Sequence, residues 1–239
     1  MRYLALCCDY DGPLAHHGQL DEPTIAALLR LKQSGRKLLM VTGRELDELK
    51  TVCPRLDLFD RVVAENGALL YRPQTNEEKK LAERPPDAFI AALKAKGIER
   101  ISAGRVIVAT WEPHETTVLE TIRDMGLELH VIFNKGAVMI LPSGVNKATG
   151  LRAALEELRL KELSAIGIGD AENDHAFLSI CGCGVAVSNA LASLKEHADI
   201  VTKADHGAGV TELIDELIAD DLKHRETNLT RQMRKARQE

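Results

Sequence analysis

Short apolar runs without alternation recur along the chain, each followed by a stretch with helical spacing. Tyr3 to Cys8 is the first run and ends at Asp9; the turn-rich Asp11-Gly12-Pro13 follows. Pro23 then opens a segment with Ile25, Leu28, Leu29 and Lys32 on one side, and Gly35 sits where a C-terminal cap is expected. Lys37 to Val41 is a second run, ending at Thr42-Gly43, and the helix pattern after it stops at Pro54. Arg61 to Ala64 is a third, ending at Glu65-Asn66-Gly67. The rhythm returns after residue 146. Lys147 to Leu158 spaces Leu151, Ala154, Leu155 and Leu158 for one buried face, and Ser164 to Ile168 is a strand ending at Gly169-Asp170. Gly184 to Val187 and Asp199 to Val201 predict two more short strands, and Val210, Leu213, Ile214 and Leu217 mark an amphipathic helix. Non-alternating strands separated by helices imply a parallel sheet covered on both faces, a doubly wound α/β core.

The middle of the chain departs from this rhythm. Residues 72 to 86 are polar and proline-containing, as in a linker or hinge. Pro86 to Lys96 reads as a helix, Arg105 to Thr110 as a strand and His114 to Met125 as a helix. Leu127 to Phe133 and Ala137 to Leu141 pair across Asn134-Lys135-Gly136, a hairpin signal. Residues 72–141 are therefore expected to form a small α+β domain inserted between two halves of the core, 1–71 and 142–218. Residues 219–239 form a charged C-terminal tail, with six Lys or Arg against two Asp or Glu from Leu222 onward. That tail reads either as a solvated or frayed end or as a lead into a further domain.

Composition narrows the function classes. The 239 residues are 45% hydrophobic and 28% charged, as in an ordinary soluble globule. The net charge of −5 argues against a general nucleic-acid binder, and 3% aromatic residues leave little for stacking on bases. No apolar run approaches the ~20 residues of a membrane helix. The start has no signal-peptide layout, so a cytoplasmic location is expected. Five cysteines, Cys7, Cys8, Cys53, Cys181 and Cys183, fit a reducing compartment and read as small buried hydrophobes rather than zinc ligands.

Candidate chemistry lies at the strand ends. Asp9 and Asp11 are two residues apart at the end of the first strand, where an extended backbone points both to one face. Most Asp-x-Asp pairs lie on solvated turns, but this one follows a buried run at the carboxyl end of a parallel strand, where open α/β sheets place ligands. Asp170 ends another core strand, followed by Asn173 and Asp174. If these strands are neighbours, three or four carboxylates converge. At ~4 Å and an effective dielectric near 20, each like-charged pair costs about 4 kcal/mol. Such a cluster must protonate or bind a cation, and an all-oxygen set with open positions favours magnesium. Thr42-Gly43 offers a hydroxyl and backbone N–H groups to an anion, although an ordinary helix cap is the commoner role for such a residue. Lys147 opens a helix, where a surface lysine is the commoner role. Together these are the parts for phosphoryl transfer through an acyl phosphate.

The set Asp9-Tyr10-Asp11-Gly12, Val41-Thr42-Gly43-Arg44, Lys147 and Gly167-Ile168-Gly169-Asp170-Ala171-Glu172-Asn173-Asp174 resembles the four motifs of the haloacid dehalogenase-like phosphatase superfamily. Glu65-Asn66-Gly67-Ala68 and the position of the insertion are similar to its Cof-type branch, with an α/β cap between the second and third motifs. The resemblance covers nearly the whole chain except the tail. It implies that Asp9 attacks phosphorus and that Asp11 protonates the leaving alkoxide and then activates water. Thr42 and Lys147 would hold the phosphoryl oxygens, and Gly43 would let the backbone approach. Magnesium would take Asp9, the Asp11 carbonyl and Asp170. Asp174 would be a further ligand or a partner of the ligands, and Asn173 would orient Lys147 or the phosphate. The chain departs from the family at Pro13, where threonine is usual, which puts the local loop geometry in question.

The resemblance implies a small phosphate ester as substrate, a sugar phosphate or a phosphoglycerate-like compound. Two other outcomes stay open: a phosphomutase, and a non-catalytic phosphate-binding module of a longer polypeptide. A dinucleotide enzyme is disfavoured because no Gly-x-Gly-x-x-Gly follows the first strand. His16, His17, Arg44, Trp111 and Lys135 are candidate substrate contacts, each with a plain structural alternative. The oligomeric state is left open.

Overall fold

The computed structural model describes residues 1–236. The first half of the chain builds β1 (Ala5–Cys8), α1 (Glu22–Gln33), β2 (Lys37–Val41), α2 (Leu46–Val52) and β3 (Arg61–Ala64), then the hairpin β4 (Leu69–Arg72) and β5 (Glu77–Lys80). Next come α3 (Asp87–Ala95), β6 (Ser102–Ala103), β7 (Val108–Trp111), α4 (Glu115–Asp124), β8 (Leu129–Asn134) and β9 (Ala137–Pro142). The chain then returns through α5 (Lys147–Glu157), β10 (Ala165–Gly169), α6 (His175–Ile180), β11 (Cys183–Ala186), α7 (Ala192–His197) and β12 (Ile200–Val201). It closes with α8 (His206–Asp220) and α9 (Asn228–Lys235).

Local chemistry sets the element ends. Asp21 caps α1 by accepting the N–H of Thr24, and Pro23 sits in the first turn, where its missing N–H costs nothing. Asn146 caps α5 by accepting the N–H groups of Ala148 and Thr149, while the Thr149 hydroxyl accepts the Asn146 N–H. This reciprocal cap places Lys147 at the first helical position.

Eight strands form one sheet in the order β12-β11-β10-β1-β2-β3-β4-β5. The six strands from β12 to β3 are parallel; β4 and β5 add antiparallel at one edge. The apolar runs are buried throughout, as a sheet covered on both faces requires. Strand β1 is flanked by β2 and β10, with Cys8 level with Met40 and Ile168. The residues that end these three strands, Asp9, Thr42 and Asp170, therefore emerge side by side at one edge of the sheet.

A second, antiparallel sheet has the order β6-β7-β9-β8 and packs on α3 and α4 around Phe89, Leu93, Val108, Val118 and Ile140. The β8–β9 hairpin turns at Lys135-Gly136, with Asn134 paired to Ala137. The fold is thus α/β with a smaller inserted α+β unit.

The structure draws two stretches differently from the sequence expectation. Residues 72–86 are not a free linker, because β5 pairs with β4 and belongs to the large sheet. The second sheet begins only at Ser102. The C-terminal stretch also docks on the core up to α9. Leu222 is buried, the hydroxyls of Tyr3 and Thr227 lie 2.7 Å apart, and the Asn228 amide donates to the Cys181 carbonyl. Residues 237–239 of the expected tail lie outside the described residues. All five cysteines are free and buried, and burial raises the thiol pKa of each.

Candidate active site

The ends of β1 and β10 bring carboxylates together. Oxygens of Asp9, Asp170 and Asp174, one from each, lie within 4.8 Å of one another, and all three residues are buried. Lys147 sits against this cluster at zero exposure. Its ammonium donates to Asp174 Oδ1 at 2.6 Å and lies 3.0 Å from Asp9 Oδ1. Burial alone would favour the neutral amine, but Asp174 and Asp9 outweigh it and raise the Lys147 pKa, so the lysine stays charged. Burial pushes the Asp9 carboxyl up to about 8; Lys147 opposes the shift, and Asp174 and Asp170 add to it.

The oxygens of these carboxylates are not equally engaged. Asp9 Oδ1 accepts the N–H of Tyr10 as well as facing Lys147. Asp174 has both oxygens committed: Oδ1 to Lys147, Oδ2 to the backbone N–H groups of Asp170 and Ala171. Asp170 Oδ2 accepts from Lys135, whereas its Oδ1 is buried and has no hydrogen-bond partner. Burial raises the Asp170 pKa, partly offset by Lys135. Gly12 passes so close that a Cβ there would lie 2.1 Å from Asp170 Oδ2, and its φ of +116° suits glycine alone. The loop closes without an N–H at Pro13, because the Tyr10 carbonyl accepts from both Leu14 and Ala15.

Asp11 is placed apart from this cluster. Its carboxylate is gripped by Arg44, with Nε to Oδ2 at 2.5 Å and Nη2 to Oδ1 at 2.8 Å. Arg44 also pairs with Glu48. Thr42 is buried beside Asp9 on the next strand; its hydroxyl accepts the Arg44 N–H and keeps its own proton to donate. It is not a helix cap, since α2 is preceded by Glu45. At Gly43 a Cβ would lie 3.1 Å from the Met139 methyl of the inserted unit, so the two units meet closely there. Asn173 does not reach Lys147 in this arrangement. Its amide donates to Asn66 Oδ1 at 2.9 Å.

A cavity of about 170 Å³ joins Asp9 and Asp11 to the inner face of the inserted unit. Trp111 and Met139 line that face, and Arg44 is the cation among the lining residues. The Trp111 ring carries the Arg100 guanidinium 3.4 Å from its centroid. His16 and His17 line an adjoining open groove with Lys135 and Asp170, which shares Asp11, Arg44 and Asn134 with the cavity, and the His16 ring stacks on His206.

Glu65 and Asn66 had no role assigned from the sequence. Both are fully buried, and both hold a left-handed backbone, φ +52° and +54°. Glu65 accepts the backbone N–H groups of Arg105, Val106 and Ile107 from the inserted unit at 2.7–2.9 Å. Asn66 is bonded to Asn173, and its N–H donates to the Thr42 carbonyl. The sequence signals were a polar Glu-Asn-Gly directly after an apolar strand and the likeness of Glu65-Asn66-Gly67-Ala68 to the Cof-type branch, neither of which assigned a role.

A mostly parallel α/β core, carboxylates converging at its strand ends and a smaller unit roofing them describe one protein class. Residues 6–110 and 118–214 match the haloacid dehalogenase-like hydrolase family, and the chain belongs to that family. It is a phosphatase enzyme of the family. Among curated relatives, the phosphoglycolate phosphatase of Methanothermobacter thermautotrophicus is 32% identical over 88% of this chain and 96% of its own. Phosphoglycolate phosphatase 2 of Saccharolobus solfataricus is 30% identical over 90% and 93%. A haloacid dehalogenase-like hydrolase from Bacteroides thetaiotaomicron shares the fold with a TM-score of 0.77 at 19% identity, over 90% of this chain and 99% of that one. The sucrose-phosphatase of Synechocystis sp. does so at 0.67 and 20% identity, over 90% and 98%. Among the described residues no helix is long and apolar enough to cross a membrane.

Proposed function

We propose that this enzyme hydrolyses a small phosphate monoester, a short phosphorylated hydroxy acid of the phosphoglycolate kind, through an aspartyl-phosphate intermediate. The small cavity above Asp9 carries the choice of substrate size. The part beneath Trp111 and Met139, about 170 Å³, lies below the ~300–1,000 Å³ of common ligand pockets and accommodates a two- or three-carbon ester. The names of the curated relatives support the same class.

We assign the nucleophile to Asp9. Its Oδ1 is held by Lys147 and the Tyr10 N–H, which leaves Oδ2 to form the bond to phosphorus. As that bond forms, the bond from phosphorus to the ester oxygen breaks, and Asp11 gives its proton to the leaving oxygen. Asp11 then takes a proton from water, the water oxygen attacks phosphorus, and free phosphate leaves with Asp9 restored. Lys147 and the Thr42 hydroxyl are placed to hold equatorial phosphoryl oxygens, with Gly43 keeping the backbone near. Asp11 acts only after leaving Arg44, and Arg44 is then free for a second anionic group on the substrate.

The donor set fits a divalent cation, for which we propose magnesium. The site combines clustered carboxylates with a buried, unpartnered Asp170 Oδ1. Asp9, the Asp11 carbonyl and Asp170 would hold it. When bound it would offset carboxylate and phosphoryl charge and favour the ionised Asp9. Asp174 fits a positioning role better than a ligand role, because both its oxygens are committed. We also propose that residues of the second sheet act as a cap that excludes water from the site.

The test is phosphate release from 2-phosphoglycolate, 3-phosphoglycerate, hexose phosphates and p-nitrophenyl phosphate, with magnesium or with EDTA. Release should be magnesium-dependent, fastest for the short acids, and lost by at least about a thousandfold in Asp9→Asn with the fold intact. A folded Asp9→Asn protein with near-wild-type turnover would falsify the mechanism. Phosphorus NMR should show free phosphate; an isomerised ester would make the enzyme a mutase, and tight binding without turnover a binding module.

A further inference from the structure

Lys135 ties the tip of the inserted unit to the core carboxylates. It occupies the two-residue turn between β8 and β9, where Lys135 has φ +49° and Gly136 has φ +82°. Positive φ at both central positions favours asparagine or glycine first, so lysine there is held in an uncommon backbone region. From that turn its ammonium donates to Asp170 Oδ2 at 2.9 Å and to the Asp11 carbonyl at 3.0 Å. These are two of the groups assigned above to the divalent cation. Asp9 and Asp11 also face the ammonium electrostatically, and with Asp170 they keep its pKa raised against burial. The Asp170 side chain is 6% exposed, whereas Lys135 reaches it from an exposed turn.

An ammonium at hydrogen-bond distance from Asp170 Oδ2 and the Asp11 carbonyl and a divalent cation held by the same carboxylate, through its unpartnered Oδ1, and the same carbonyl would repel each other at close range. We propose that Lys135 and the divalent cation are alternative partners of Asp170 and the Asp11 carbonyl, so that Lys135 is an internal competitor that latches the inserted unit onto the core and is released when the cation binds. This rests on the cation site proposed above. Thermodynamic reciprocity follows: whatever the latch takes from cation affinity, the cation takes from the latch.

The test titrates Mn²⁺ into the full chain and reads the free ion by electron paramagnetic resonance. Lys135→Met keeps side-chain length without charge at an exposed turn. It should bind Mn²⁺ at least about tenfold tighter than wild type. Lys135→Arg should stay near wild type, and Asp170→Asn should lose binding. Amide hydrogen exchange at residues 134–137 supplies a readout independent of activity. Mn²⁺ should speed it in wild type, and in Lys135→Met it should already be fast and indifferent to Mn²⁺. Equal or weaker Mn²⁺ binding by Lys135→Met overturns the latch while leaving the cation site standing. Mn²⁺ binding that survives in Asp170→Asn, or is absent from every protein tested, overturns the site and the latch together.

Discussion

Lys147 is the residue on which the candidate site turns. A cation at zero exposure between Asp9 and Asp174 offsets two carboxylates that are 5% and 0% exposed. Removing one member of a buried ion cluster leaves the others uncompensated, at a cost of about 3–5 kcal/mol. Lys147→Met should therefore lower unfolding free energy by about 3 kcal/mol in urea titrations. It should also abolish turnover at temperatures where the variant is fully folded. Wild-type stability would mean that Asp9, whose carboxyl burial already pushes up, takes up a proton in its place. Lys147, Asp9, Thr42 and Asp170 were legible in the sequence because each directly borders an apolar run or opens a periodic helix. Glu65, Asn66 and the true partner of Asn173 were not. Glu65 meets residues 40–42 positions away, and Asn173 meets a residue 107 positions away. No local pattern encodes such a meeting.

At the scale of elements, the hairpin β4–β5 shows where pattern reading stops. Glu77-Glu78-Lys79-Lys80 has no apolar alternation and is exposed along its length, so nothing in the sequence marks it as a strand. It is held by backbone pairing to β4 and by charge. Glu157 at the end of α5 receives Arg61 from β3, Arg72 from β4 and Lys79 from β5. Hydrogen bonds from Arg72, and then from Arg61 and Lys79, hold the Glu157 carboxyl down at about 2 against an ordinary 4.5. A depressed folded-state pKa contributes stability that is complete above the unfolded value and disappears as pH falls toward the folded one. The contribution is therefore present above pH about 4.5 and gone near pH 2. Because the cluster lies near the surface, about 1–2 kcal/mol is expected at pH 7. Glu157→Gln should show that deficit in denaturant titrations at pH 7 and converge on wild type as pH approaches 2. A deficit that persists unchanged at low pH would mean packing, not charge, joins the hairpin to α5. Strands β1, β2, β3, β10 and β11 were legible because burial on both faces writes a continuous apolar run, and β8 and β9 because a turn signal separates two apolar runs.

At the scale of the whole molecule, the two sheet units are fastened by a buried carboxylate rather than by a loose linker. The polar stretch after residue 72 suggested a hinge, but Glu77–Lys80 is paired into the large sheet, which shortens the free connection. Glu65 then reaches across and accepts three consecutive backbone N–H groups of the inserted unit, a charge-assisted arrangement. Glu65 thus holds the inserted unit to the core at residues 105–107, and Lys135 holds it at the β8–β9 turn. Glu65→Gln preserves shape but places an amide NH₂ where a carboxylate oxygen accepted. One backbone donor is left facing a donor, a loss of about 1–3 kcal/mol for a buried group. If Glu65 seats the inserted unit, amide exchange at residues 105–107 should quicken in Glu65→Gln, while exchange in β1 and β10 stays at the wild-type rate. KM should rise more than kcat falls, because the residues lining the substrate cavity from the inserted unit lose their fixed distance to Asp9. Uniform quickening across both sheets would instead make Glu65 a determinant of global stability, with no special part in seating the cap.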